Sequence, residues 1–112
     1  MKIKAIKIDP KEQLVSEVEY EGYEGLMEVV DHMMLTLVPI CAGGSKWHHL
    51  TVYADDEGLL KEERHFSSVP FYPQPLCGVL LLTGKPTIDG DETDCFLSVL
   101  EVAMDVKWLG QR

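Results

Sequence analysis

Positive charge is what this sequence has least of. Ten Lys and Arg stand against nineteen Asp and Glu, a formal net charge of −9. A field of that sign repels phosphate backbones, which argues against direct binding of DNA or RNA. It is the balance of a well-dispersed surface, and also of one that meets a basic partner. Long hydrophobic runs are missing as well. The most apolar stretch, "CGVLLLTG" from Cys77 to Gly84, is far shorter than the ~20 residues a membrane-crossing helix needs, so no membrane association is expected. The opening "MKIKAIKID" alternates lysine with apolar residues and has no hydrophobic block or small-residue cleavage site, so it does not read as a signal peptide. Cysteine is sparse too: Cys41, Cys77 and Cys95 are widely spaced and odd in number. They outline no disulfide framework and point to a reducing compartment, so a cytoplasmic protein is expected.

Strong catalytic and metal motifs are also lacking. His48-His49 follow Trp47 and lie near Cys41 in sequence, but zinc wants three or four converging ligands, usually in short paired spacings. No CxxC or HxxxH occurs, and adjacent residues of a strand point to opposite faces. A pair flanking a strand start is therefore the plainer reading, and a Cys41-His48-His65 cluster has nothing further behind it. "DGDETD" brings Asp89, Asp91 and Asp94 close, like the start of a calcium loop. The loop's sixth position should be glycine and its twelfth glutamate; here they are Asp94 and Leu100. These acids read instead as a solvated turn that favours the start of a following helix. "CAGGSK" lacks phosphate-loop spacing, Asp55-Asp56 sit in a turn, and Ser45, Ser67, Ser68 and Ser98 have no nucleophile-elbow context. No catalytic residue, metal or cofactor is assigned. An enzyme is the weakest reading, with His49 and His65 as its best candidates.

What is present speaks mainly of architecture. A chain of 112 residues suits one domain and can bury a core without disulfides or metals. Its hydrophobic content of 46% and charged content of 26% are those of a globular protein. "MKIKAIKID" and "QLVSEVEYE" alternate with period two and are joined through "DPKE", which predicts a hairpin. From Gly22 the period changes: Tyr23, Leu26, Met27, Val30 and Met33 or Met34 follow helical spacing over about three turns. "LTLVPIC" predicts a strand, and Pro39 inside it predicts an edge position or a bulge. "AGGSKWHH" reads as a loop, "LTVYA" as a strand, and "DDEG" as a turn in which Gly58 supplies a positive φ. Residues 59–76 show no period.

Pro70, Pro73 and Pro75 strip backbone donors, so Val69 to Leu76 can be neither an interior strand nor a helix. Phe71 and Tyr72 fall on opposite sides of that extended segment, one free to anchor in the core while the other reaches out. Cys77 to Thr83 predicts a central strand bounded by glycines. The tail predicts a helix with Thr93 as N-cap, Gly110 just past its end, and Phe96, Val99, Leu100, Ala103 and Val106 on one stripe. The expected fold is α+β in a single domain, residues 1–112: a mainly antiparallel sheet of about five strands with two helices packed on one face.

The series "IKIDP", "VEYEGYEGLMEVVDHMM", "LVPIC", "LTVYADDEGLLKE" and "VPFYPQPLCGVLLLTG" resembles an uncharacterised family of bacteriophages and mobile elements, domain of unknown function thirty-eight forty-six. The matching pieces are Asp56-Glu57-Gly58-Leu59-Leu60-Lys61, Pro70, and Cys77-Gly78 through Gly84. The resemblance implies a phage-derived protein acting in the host cytoplasm, and it carries no catalytic residues.

Two functions follow as expectations. The first is a small acidic non-catalytic binding protein, an accessory factor that engages a host or phage protein with a basic surface through Glu17, Glu19, Glu21, Asp55, Asp56 and Glu57. The second is a binder of a small nucleotide-like molecule, with Trp47, His48, His49, Phe71 and Tyr72 as rings placed in loops where a flat ligand could stack. Rings packed on the domain's own core are the plainer alternative for these five. Exposed aromatics and an edge strand at Leu35–Cys41 would also allow a homodimer by sheet extension.

Overall fold

The computed structural model describes residues 2–30, 35–42, 44–56 and 63–111. It is α+β. A five-stranded antiparallel sheet has the order β2-β1-β7-β4-β3, and a smaller antiparallel sheet has the order β6-β5-β8. The elements are β1 (Ile3–Asp9), β2 (Leu14–Tyr20), α1 (Gly22–Val29), β3 (Leu35–Leu37), α2 (Ser45–His48), β4 (Leu50–Asp55), β5 (His65–Ser68), β6 (Leu76–Cys77), β7 (Leu80–Gly84), α3 (Val99–Ala103) and β8 (Lys107–Gln111).

The N-terminal hairpin forms as its alternation predicts, with Ile3 opposite Tyr20 and Asp9 opposite Leu14. β1 buries both of its faces. Ile3 and Ala5 join Tyr20, Leu26, Val30 and Leu81 beneath α1, whereas Ile6 and Ile8 join Val52, Leu80, Leu82, Trp47 and Phe71 on the other side. β7 lies in the middle of the sheet and is buried along its whole length, which is what an unbroken apolar run bounded by glycines encodes.

The helices differ from expectation in size and placement. α1 spans eight residues, Leu26 faces the core, and Tyr23 stands 73% exposed. Met33, Met34 and the end of the expected helix lie outside the described residues, as does Gly58 of the expected turn. "SKWH" of the expected loop is the short helix α2, which carries Trp47 inward. α1 covers one sheet face while α2 and α3 contribute Trp47 and Val102 to the other, so helices lie on both faces. The reason is β1 and β7: strands apolar on two sides need cover on two sides.

The apolar run from Cys77 does not stay in one strand. Gly78 has φ +84, and a Cβ there would stand 3.3 Å from the Asp55 Cβ. The chain turns at that glycine, leaving Leu76–Cys77 to pair with β5 and Leu80–Gly84 to enter the main sheet. β5 itself arises in the stretch without a period, where pairing with β6 and β8 supplies what the local sequence does not.

The long terminal helix is replaced by an extended segment, the short α3, and β8. Residues 93–95 run between the ends of β1 and β7: Gly84 N–H donates to Thr93 O at 2.9 Å and Cys95 N–H to Lys4 O at 2.8 Å. Thr93, the expected N-cap, instead donates its hydroxyl to Lys85 O at 2.6 Å. The helix begins at Ser98, whose side chain and that of Glu101 form a reciprocal capping box. The expected stripe is not buried, since Phe96 is 54% and Leu100 70% exposed. Gly110, expected just past the helix, lies within β8 with φ +71.

Candidate functional site

Two clefts flank the edge strand β3. The smaller, about 310 Å³, is lined by Thr36, Leu37, Ala54, Asp55, Asp56, Phe66, Tyr72 and Leu76 among others. The larger, about 660 Å³, is lined by Leu37, Ile40, His48, Thr51, Tyr53, Thr83, Lys85, Pro86 and Glu92 among others. Leu37, Val38 and Pro39 border both. Strand register puts the clefts on opposite faces. Thr36 is paired with Ala54, while Leu37 is paired with Tyr53, and Thr51 with Thr83; paired residues share a face and successive residues alternate. Asp55, paired with Leu35, has the register of the Tyr53 face and lines the smaller cleft from the end of β4.

The larger cleft has a polar base that sequence reasoning missed. Tyr20 Oη donates to Glu92 Oε2 at 2.9 Å, and Tyr53 Oη to Glu92 Oε1 at 3.5 Å. One carboxylate thus ties β2 and β4 together across β1 and β7 and holds the 85–92 segment over the sheet. Burial, followed by the hydrogen bond to Glu92, pushes the Tyr20 hydroxyl well above the ordinary tyrosine range. Burial and the same carboxylate raise Tyr53 as well. Separations of 72 and 39 residues put this trio beyond any local signal.

The smaller cleft brings together two of the acidic candidates and one of the aromatic ones. Asp55 ends β4 and is 7% exposed, Asp56 follows it in the turn and is exposed, and Tyr72 is half-buried between the cleft and the core. The absence of a side chain at Gly78 leaves room for the Asp55 carboxyl, 3.6 Å from where a Cβ would stand.

The remaining candidates are dispersed. Trp47 and Phe71 are 1% and 0% exposed and tilt against each other with centroids 5.2 Å apart, so these rings form core and offer no face for stacking a ligand. Lys46 closes that corner, its Nζ 4.9 Å from the Trp47 ring and 3.1 Å from Asp105 Oδ2. His48 borders the larger cleft, whereas His49 sets its ring edge-on to Phe96 at 6.4 Å. Glu17 and Glu19 are exposed on β2, and Glu21 is exposed at the N-cap of α1. β2 and β3 are opposite edges of the sheet, so the acidic candidates do not form one surface. Glu57 lies outside the described residues.

Of the enzyme candidates, His65 has Glu63 Oε2 3.7 Å from its Nε2. Among the described residues no three or more His, Cys, Asp or Glu side chains are grouped to hold a metal ion; Cys41 is exposed, Cys77 half-buried and Cys95 buried. Burial raises the Cys95 thiol above its ordinary range. Among the described residues no helix is long and apolar enough to cross a membrane. No family model matches the chain, and no curated protein or solved structure matches it.

Proposed function

We propose that this is a non-catalytic binding protein that engages a basic segment of a partner protein at the smaller cleft. The observation that carries the reading is the meeting of Asp55 and Asp56 with the rings of Phe66 and Tyr72 around one concavity. Carboxylates beside aromatic faces suit a lysine or arginine side chain, which gains both charge pairing and cation–π attraction. The net charge of −9 adds long-range steering of such a partner. The resemblance to the phage and mobile-element family supplies a context: a host protein that handles nucleic acid, and so carries a basic surface, reached in the cytoplasm. Three widely spaced cysteines, odd in number, suit that compartment.

The immobilised protein, exposed to host lysate, should retain a basic protein at low salt and release it at high salt, and Asp56→Lys should abolish the capture. Retention that neither salt nor Asp56→Lys affects would reject the cleft as the site.

A second reading draws on the larger cleft, whose volume of about 660 Å³ lies in the range of small-molecule sites. Of the five expected ligand contacts only His48 borders it. A thermal-shift panel of nucleotides against the purified protein tests this reading, and a flat response across the panel ends it.

A further inference from the structure

The two clefts and the strand between them form one arrangement. β3 pairs with β4 on one side and is the last strand of its sheet among the described residues. Val38 N–H donates to Val52 O at 2.9 Å. Hydrogen-bonded pairs alternate along an antiparallel ladder, so Thr36 also turns its backbone groups toward β4. The N–H and C=O groups of Leu35 and Leu37 therefore point away from the sheet. Leu37 is 64% exposed. Pro39 has no N–H to offer and ends the edge after these residues.

An added strand would alternate its side chains between the two faces. One set would enter the smaller cleft with Asp55, Asp56 and Tyr72, and the other the larger cleft on the opposite face. The first position calls for arginine or lysine. The second is lined by the apolar Leu37, Ile40 and Pro86 together with Thr51 and Tyr53, and calls for a bulky neutral side chain with a polar tip. A second copy of this chain, also at −9, would be repelled.

We infer that β3 receives an extended segment of a partner protein by strand addition, with basic and aromatic residues alternating along it. The inference rests on the basic-partner reading above and deepens it: backbone hydrogen bonds to Leu35 and Leu37 supply attachment, and the flanking clefts supply the sequence preference.

The probe is a fluorescein-labelled peptide, Thr-Arg-Tyr-Arg-Tyr-Arg-Thr, followed by anisotropy with the full chain. In antiparallel addition the tyrosine N–H groups face β3 and the arginine N–H groups face solvent. Peptides N-methylated on all tyrosines or on all arginines separate the two arrangements. Loss of binding with either set alone supports strand addition, antiparallel for tyrosine and parallel for arginine. Asp56→Lys, an exposed change whose fold is checked by circular dichroism, should weaken the unmodified peptide about tenfold.

Retention with both methylated peptides, together with loss in Asp56→Lys, overturns strand addition and leaves the basic-partner reading standing. No binding of the arginine peptide, or equal binding when arginine is replaced by glutamate, overturns both. A concentration-dependent dimer in sedimentation that the peptide does not dissociate assigns the edge to a second copy and also overturns the inference.

Discussion

Glu92 shows how much one side chain can organise. Its carboxylate accepts from Tyr20 on β2 and Tyr53 on β4, and so pins the segment after β7 across the sheet. The consequence for pH is directional. Tyr20 holds its proton in the folded chain well above the ordinary value of 10.0, whereas the unfolded chain releases it near that value. The bound proton contributes stability that is complete below about pH 10 and falls away as pH rises beyond it. Urea unfolding between pH 8 and pH 11 should show a smaller alkaline loss in Tyr20→Phe than in the wild type; parallel curves would show that Tyr20 is not the group responsible. At this scale the proline segment was legible in part. The chain is neither helix nor strand there, as the prolines require, but residues 70–74 form a turn and bends where an extended run was expected; Phe71 is buried and Tyr72 lines the acidic cleft. The Glu92 trio was not legible, because nothing in the neighbourhood of Glu92 distinguishes it from the acids around it.

Elements were legible where their pattern was local. The β1–β2 hairpin, the interior position of β7 and the edge position of β3 each follow from period, apolar run or proline. The tail was not, because Phe96, Val99, Leu100 and Ala103 fit a helical stripe while pairing with β5 holds residues 107–111 as a strand. The capping box of Ser98 and Glu101 was the signal that could have placed the short helix, three residues apart and just before Val102. The passage of residues 93–95 past the end of β7 depends on a missing side chain. A Cβ on Gly84 would collide with Thr93 Oγ1 and the backbone oxygen of Asp94. Gly84→Ala should therefore destabilise by about 1–3 kcal/mol, as overpacking does, read from the chemical-denaturation midpoint. An unchanged midpoint would mean that the segment shifts at no cost.

The whole molecule is one main sheet with an apolar layer on each face and a smaller sheet at one side, whose Leu76 and Trp108 pack against the larger core. Trp47 and Phe71 are the largest side chains fully buried there. Phe71→Ala removes a ring from that layer and should cost about 3–5 kcal/mol, a large share of the ~5–15 kcal/mol that such domains possess. Thermal unfolding should show a correspondingly lowered midpoint, and a midpoint near that of the wild type would place the ring outside the cooperative core. Charge also acts at this scale. Glu17 and Glu19 lie at one sheet edge and Asp55 and Asp56 near the other, so the excess of acid gives the molecule a general negative field while only one of these groups borders a cleft with aromatic rings.

By itself the sequence determined the α+β class, the antiparallel hairpin, the buried central strand, the stiff proline segment and the sign of the field, because each rests on periodicity, backbone restriction or net charge. Only the tertiary structure decided that Trp47 and Phe71 are core, that the apolar run divides at Gly78, that the tail ends in a strand, and that Asp55 and Asp56 meet Tyr72 beside the strand β3. Those outcomes rest on contacts between residues far apart in the chain, where what a side chain meets is set by the packing of whole elements and not by its neighbours in sequence.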